Sequence, residues 1–264
     1  MDWIEVNGAA LRYDLSGSGE RAIVLVHEMG GMLESWDGVV PALARRRRVL
    51  RYDTRGAGLS EKLRGGASLD VMAEDIAALL DALGVAQPVA LAGIAVGAAI
   101  AMQFCLRFPS RAAALIAMGP AIGVAGDRCA ATLARAARAE QGGMRAIVED
   151  SLANAYPIEM QQDAARFRAF RARWLSTDPA SFAAINRMLA GYDLTPSLPR
   201  IACPTLLLAG VHDRLRPPEV VEPLAKLIPG ARFRTLETAH FMAVQTPDLV
   251  AEAIGGFLDA IGLR

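Results

Sequence analysis

The chain of 264 residues lacks a charge imbalance, because 28 basic side chains are matched by 28 acidic ones. A neutral chain has no electrostatic reason to bind nucleic acid or an acidic membrane surface, so we expect neither partner. Cysteine is also scarce, since Cys105, Cys129 and Cys203 stand far apart and form no C-x-x-C spacing. This scarcity argues against a disulfide framework and against a zinc site.

The sequence also shows no pattern typical of a secretory signal or of a transmembrane helix. The first residues, MDWIEVNG, contain neither a basic nor an apolar stretch, which predicts a cytoplasmic protein without a secretory signal. The longest uncharged stretch, residues 88–106, has nearly the length of a membrane span. Because Gly93 and Gly97 interrupt it, a buried strand, a tight turn and a core helix explain it better.

What the chain does contain is an alternation of short apolar runs and helical patterns. Several runs are too continuous to have one wet face, which is typical of parallel strands covered on both sides. Residues 69–84 and 246–262 repeat apolar side chains with a helical period. The alternation predicts an α/β fold with a mainly parallel, doubly wound sheet of eight strands. The runs lie at residues 3–6, 10–15, 21–27, 48–53, 88–94, 113–118, 204–210 and 231–236.

One region, residues 121–200, breaks this alternation. It carries helical patterns without a convincing strand, and Pro196 and Pro199 stand near its end. We expect this cap segment to be a helical insertion over the sheet. The core then consists of residues 1–120 and 201–264.

Five segments carry a resemblance to a known family. They are VLVHEMGG at 24–31, RYDTRGAGLS at 51–60, LAGIAVGAAIA at 91–101, LLLAGVHDRLRPPE at 206–219 and LETAHFMAVQTPDLV at 236–250. In this order they resemble the α/β-hydrolase superfamily, especially its cap-bearing esterases, lactonases and C–C hydrolases. The resemblance implies an α/β-hydrolase core with a helical cap and a catalytic triad.

The acid and the base of that triad are present. By the resemblance, the fourth segment supplies the acid, Asp213, and the fifth supplies the base, His240. We expect Asp213 to accept the Nδ1–H of His240 and to leave Nε2 directed at the cavity. The other two histidines, His27 and His212, are expected to be structural.

The third segment departs from the family pattern at the nucleophile. The family has serine in the middle of G-x-S-x-G, where this chain has Ala95 between Gly93 and Gly97. The glycines suit the strained strand-to-helix turn, but alanine has no group that attacks a carbonyl. The backbone N–H groups of Met29 and Val96 are still expected to form an oxyanion hole.

The first segment departs as well, because Glu28 stands where the family usually has glycine. In the dienelactone hydrolase branch a glutamate at a similar place faces the nucleophile. The resemblance therefore implies that Glu28 points into the cavity, close to Ala95, as a general acid or base. The alternative is that Glu28 faces solvent or caps its loop.

Three explanations account for Ala95. The chain is an engineered alanine variant of a serine hydrolase, a natural enzyme without a serine nucleophile, or a binder that has lost the chemistry. We adopt the second, in which Glu28 and the His240–Asp213 pair activate water, because one cause then explains both departures. The predicted function is hydrolysis of a small ester, lactone or β-dicarbonyl-like molecule without metal or organic cofactor. The oligomeric state stays open, a homodimer included.

Aromatic and basic side chains are the candidates for binding that small molecule. Trp36 is expected near the cavity mouth, and Trp174 on one face of a cap helix. Arginine grips carboxylates bidentately, so arginines of the same cap helix are candidates for binding a substrate carboxylate, although most of them are expected on the surface. These are Arg166, Arg168, Arg171 and Arg173.

Overall fold

A computed structural model describes residues 1–124 and 126–263 of the protein, with Asp127 by its backbone alone. Within these residues eight strands form one sheet in the order β1-β2-β4-β3-β5-β6-β7-β8. The first two pairings in that order are antiparallel and the others are parallel. The strands are β1 (Asp2–Val6), β2 (Ala9–Ser16), β3 (Ala22–Val26), β4 (Arg48–Tyr52), β5 (Val89–Ile94), β6 (Ala112–Met118), β7 (Thr205–Gly210) and β8 (Arg232–Leu236).

The predicted α/β fold with its mainly parallel, eight-stranded sheet is confirmed. Each predicted apolar run coincides with one strand, and the bounds of the run and of the strand differ by at most one residue at either end. The reason is burial on both faces: every residue of β3, β5 and β7 is buried. Such strands need continuous apolar sequence, which makes them visible in the sequence alone.

Helices cover the two faces of the sheet. One face packs against α2, α3 and α8, and the other packs against α1 and α10. The helices are α1 (Val40–Leu43), α2 (Leu69–Ala82), α3 (Val96–Arg107), α4 (Asp127–Gly142), α5 (Val148–Ala155), α6 (Ala164–Leu175), α7 (Pro179–Gly191), α8 (Pro218–Leu227), α9 (Met242–Gln245) and α10 (Pro247–Ala260).

Local signals explain where the predicted helices begin and end. The hydroxyl of Ser68 accepts the N–H of Val71 and caps the start of α2. Gly84, with φ +65°, stands just beyond the end of that helix. Pro247 occupies the first turn of α10, where a missing N–H costs nothing.

The uncharged stretch at 88–106 contains β5, a sharp turn and most of α3, as predicted. The turn and the strand break the stretch before it reaches the helical length that a bilayer requires. In the part of the chain that the structure describes, no helix is both long enough and apolar enough to cross a membrane.

The cap segment lies between β6 and β7 and contains α4, α5, α6 and α7. In its described residues, the pairing outside the named strands is one isolated bridge between Gly123 and Asp193. The cap has its own cluster of buried aromatic side chains, which Phe241 joins from the core. Since Phe241 follows β8, the cap packs over the carboxyl ends of the strands.

Candidate active site

A cavity of about 560 Å³ lies between the cap segment and the carboxyl ends of the central strands. From the core it is lined by Ala95 and His240, among others, and from the cap by Trp174 and Phe182. In open α/β sheets this end of the strands is where ligands bind. The cavity has a size typical of small-molecule sites.

The acid and the histidine meet at this cavity. The Nδ1 of His240 lies 2.8 Å from the Oδ2 of Asp213. The other carboxylate oxygen, Oδ1, accepts the backbone N–H groups of Leu215 and Arg216 at 2.8 and 2.9 Å. The carboxylate is an acceptor, so Nδ1 carries the proton and donates it. The Nε2 of His240 is then an unprotonated base at the cavity wall.

The pKa of Asp213 is lowered, and its surroundings explain why. Burial disfavours the charged carboxylate, but the charge of His240, its hydrogen bond, and the backbone N–H groups of Arg216 and Leu215 outweigh burial. Asp213 therefore stays ionised when the imidazole takes up a proton. The hydrogen bond to this carboxylate holds the ring of His240 in one orientation.

The strand-to-helix turn keeps its strained shape although its central residue is alanine. Ala95 has φ 51° and ψ −113°, a region that residues other than glycine rarely adopt. The glycines on either side allow the turn: a Cβ on Gly93 would lie 2.3 Å from the carbonyl oxygen of Gly97. A Cβ on Gly97 would lie 2.3 Å from that of Val26.

Two residues of the cavity wall supply the backbone N–H groups expected for an oxyanion hole. Met29 and Val96 both line the cavity, and neither N–H donates to another group in the described part of the chain. Val96 is the first residue of α3, where unpaired N–H groups and the helix dipole favour negative charge. The side-chain amide of Asn186 lies 3.1 Å from the sulfur of Met29 and braces its loop from the cap side.

The implied orientation of Glu28 is wrong. Its side chain is fully buried, yet Glu28 is not among the described residues that line the cavity. Its Oε1 instead accepts the hydroxyl of Ser35 at 2.8 Å. The tight turn after it explains this: the N–H of Gly31 donates to the carbonyl of Glu28 at 3.0 Å. A Cβ on Gly31 would lie 2.5 Å from Oε1, so the carboxylate is folded under the loop that carries Met29.

The second correction concerns Trp36, which is fully buried in the core rather than at the cavity mouth. A short 3₁₀ helix, Leu33–Trp36, turns the indole into the cluster formed by one sheet face, α1 and α10. Burying an indole there removes a large apolar area from water, which favours the core position. Trp174, by contrast, both lines the cavity and packs in the buried aromatic cluster of the cap.

The other two histidines have structural surroundings. The Nδ1–H of His27 donates to the carbonyl of Glu28 at 2.7 Å, and its Nε2 accepts the N–H of Thr54 at 3.0 Å. His27 thus joins two loops beneath the site. His212 lies 3.4 Å from the carboxylate of Glu237 and is not among the described residues of the cavity wall.

The cap-helix arginines do not reach the cavity either. The guanidinium of Arg171 pairs with Glu149, and that of Arg166 donates to the carbonyl of Gln245 at 3.0 Å. The arginines that do line the cavity were not predicted from the sequence. The sequence could have indicated a cavity position for Arg216, because Arg216 follows Asp213 by three residues. No such sequence feature distinguishes Arg135 from the many other arginines. The arginines of the cavity wall are Arg128, Arg135, Arg138, Arg214 and Arg216.

Known proteins of similar sequence span the whole chain. The family model of the alpha/beta hydrolase fold matches residues 21–247. The putative carbamate hydrolase RutD of Azorhizobium caulinodans is 32% identical over 267 residues, which cover 99% of each chain. The 3-oxoadipate enol-lactonase 2 of Acinetobacter baylyi is 26% identical over 255 residues, 96% of this chain and 94% of that protein.

Solved structures show the same architecture. A thermophilic esterase from Thermogutta terrifontis matches with a TM-score of 0.93 at 26% identity, over 99% of each chain. The enol-lactonase from Burkholderia xenovorans matches with a TM-score of 0.93 at 27% identity, over 98% of this chain and all of that one. The match of the family model over most of the chain, together with this common architecture, shows that the chain belongs to the α/β-hydrolase-fold family.

Proposed function

We propose that the protein is a hydrolase of a small ester, lactone or β-dicarbonyl-like molecule, in which water takes the place of a serine nucleophile. No metal or organic cofactor takes part. The observation that carries the proposal is the Asp213–His240 pair at the cavity wall, beside Ala95 and two backbone N–H groups. The names of two relatives, a carbamate hydrolase and an enol-lactonase, support the same broad class of reaction.

In the proposed step for an ester, His240 is the general base. Its Nε2 takes a proton from water while the water oxygen forms a bond to the carbonyl carbon. The carbonyl π electrons move to its oxygen, which becomes an oxyanion held by the N–H groups of Met29 and Val96. When the tetrahedral adduct collapses, the bond to the leaving oxygen breaks and the imidazolium returns its proton to that oxygen. The products are an acid and an alcohol.

Ala95 makes room for this water. Its methyl group replaces the CH₂OH that a serine would direct at the carbonyl, so the volume of one hydroxyl is available at the cavity wall. Glu28 has a different role in the proposal from the one the resemblance implied. Its buried carboxylate positions the loop of Met29 through Ser35, and His240 alone abstracts the proton.

The test compares four proteins on small esters, lactones and β-dicarbonyl compounds: the wild type, His240→Ala, His212→Ala and Ala95→Ser. We expect His240→Ala to lower kcat/KM by about 10²–10⁴, the usual contribution of a positioned general base. His212→Ala is the matched control and leaves kcat/KM unchanged, because its ring is at the surface beside Glu237. Ala95→Ser should give little gain or a loss, since its hydroxyl occupies the water site.

Two outcomes contradict the proposal. A wild type without turnover, combined with a gain of several orders of magnitude in Ala95→Ser, makes the chain an inactive form of a serine hydrolase. Ligand binding without turnover in both proteins makes it a binder. Circular dichroism melts of each variant separate loss of chemistry from loss of folding.

A further inference from the structure

Arg135 is a cation fixed in place at the cavity wall. It lies on α4, and its Nε and Nη2 both donate to the Oδ1 of Asn186, at 3.1 and 2.6 Å. Its guanidinium carbon stands 5.9 Å from the centroid of the Phe182 ring. Asn186 and Phe182 orient the fork, but both are neutral. Among the described side chains, no carboxylate pairs with Arg135.

Arg216 approaches the same cavity from the loop that carries the catalytic acid. Its Nε donates to the carbonyl of Pro120 at 3.3 Å, and its Nη1 to the carbonyl of Leu215 at 2.9 Å. Asp213 is near, but its carboxylate accepts from His240 and from two backbone N–H groups. Within the described residues, Arg216 therefore has neutral hydrogen-bond partners and no ion pair.

These cations repel each other. Burial lowers the pKa of Arg135, and the charge of Arg216 lowers it further. Burial likewise lowers the pKa of Arg216, and the charge of Arg128 lowers it further, while the charge of Asp213 opposes this shift in part. Arg138 and Arg214 of the same wall are different, because Arg138 pairs with Asp150 at 3.0 Å and Arg214 lies 3.6 Å from Glu159.

A cluster of cations at a partly dry wall is costly unless an anion compensates it. Guanidinium forks bind carboxylates with strong, directional hydrogen bonds. We propose that the substrate of this cavity carries a carboxylate, which Arg135 and Arg216 bind. The chemical class is thereby narrowed to a half-ester, a lactone acid or a β-dicarbonyl acid, in which a second, uncharged carbonyl is the reacting group.

The two arginines also set the direction of the bound molecule. Asn186, which holds Arg135, contacts the sulfur of Met29 with its amide nitrogen, and Arg216 is three residues from Asp213. The carboxylate therefore lies between α4 of the cap and the loop of Asp213, and the reacting carbonyl lies toward Met29 and Val96. This orientation rests on the proposed function, but binding of the anion requires no turnover.

Isothermal titration with succinate and its neutral analogue succinamide tests the inference. We expect the wild type to bind succinate at least about tenfold more tightly, because hydrogen bonds to charged groups are roughly twice as strong as neutral ones. Arg135→Gln and Arg216→Gln should each weaken succinate binding about 10- to 100-fold and leave succinamide unaffected. Arg187→Gln is the control, because it removes the same single positive charge from a different place. Arg187 pairs with Glu140 and is not among the described residues of the cavity wall.

Arg135→Lys and Arg216→Lys replace either variant that fails to fold, because they keep the charge and lose only the fork. Equal affinity of the wild type for succinate and succinamide overturns the inference. Variants that bind succinate within about twofold of the wild type overturn it as well. Succinate binding without turnover of any ester contradicts the proposed function alone, whereas turnover of neutral esters without a preference for anions contradicts this inference alone.

Discussion

The two ends of the candidate site retain different properties. At the turn after β5 the backbone keeps a strained conformation, but the residue there, Ala95, has no reactive group. At the other end, Asp213 and His240 keep both their geometry and their chemistry. The two ends of the site therefore correspond to two separate tasks, oxyanion stabilisation and proton transfer. In the proposed function, oxyanion stabilisation comes from backbone N–H groups, whereas proton transfer depends on the imidazole ring of His240.

The strain at Ala95 is held by its surroundings. The N–H of Ala95 donates to the carbonyl of Met118 at 2.9 Å, and its own carbonyl accepts the N–H groups of Ala99 and Ala121. Such a conformation costs about 1–3 kcal/mol and persists only where neighbouring structure enforces it. The turn therefore survives without a nucleophile because the sheet and α3 enforce it.

Breaking the acid–histidine end should have the largest effect. Asp213→Asn keeps the shape but offers its amide nitrogen or a neutral oxygen to the imidazole, so the ring loses its partner anion. We expect kcat to fall by about 10²–10⁴, as for loss of a triad acid. Steady-state kinetics on the best substrate measures this, and a fall of less than about threefold would contradict the role of Asp213.

Asp213→Asn should also change how the stability of the protein depends on pH. The folded pKa of Asp213 is lowered, so its stabilising contribution is fully present above the ordinary aspartate pKa of about 3.9. It is lost as the pH falls through the lower, folded value. The difference in Tm between the wild type and Asp213→Asn should therefore stay constant down to about pH 5 and shrink as the pH falls further, through the lowered folded pKa. A difference that grows toward acid pH would show that the folded pKa is raised instead.

Glu28→Gln tests whether the loop under Met29 contributes chemistry or only position. Glutamine keeps the acceptor for Ser35, so a positioning role costs less than about tenfold in kcat/KM, whereas loss of a base costs about 10²–10⁴. Ser35→Ala is the matched variant, because it removes the same hydrogen bond from the other side. The pH profile of kcat/KM should be identical in all three proteins. A changed acidic limb in Glu28→Gln alone would restore Glu28 as the base.

Relieving the strained turn should have the smallest effect. Ala95→Gly removes about 1–3 kcal/mol of strain and adds about 0.4–1 kcal/mol of unfolded-state entropy. We expect the free energy of unfolding to rise by about 1 kcal/mol, measured by urea titration. Ala99→Gly, one turn into α3, is the control and should cost about 1 kcal/mol. Equal losses in both variants would mean that the turn holds no strain.

Much of this protein is determined by local sequence. Continuous apolar runs predicted the central strands β3, β5 and β7, because a strand buried on both faces has no polar position. The resemblance of two segments to family loops predicted the pair of Asp213 and His240, and the fold brings the two together because each follows a strand of the same sheet. Gly93 and Gly97 likewise indicated the turn, because no larger residue fits there.

Side-chain direction in loops was decided by tertiary structure alone. From the sequence, Glu28 and Trp36 were both expected at the cavity. A turn at Gly31 instead directs the side chain of Glu28 into the protein interior, and a 3₁₀ helix does the same for Trp36. Arg135 is one arginine among many, and only packing against Asn186 and Phe182 sets it apart. Hydrophobic periodicity and the positions of glycines indicate the local backbone conformation of each segment. Which distant group a long side chain meets depends on contacts between segments, and these exist only in the folded chain.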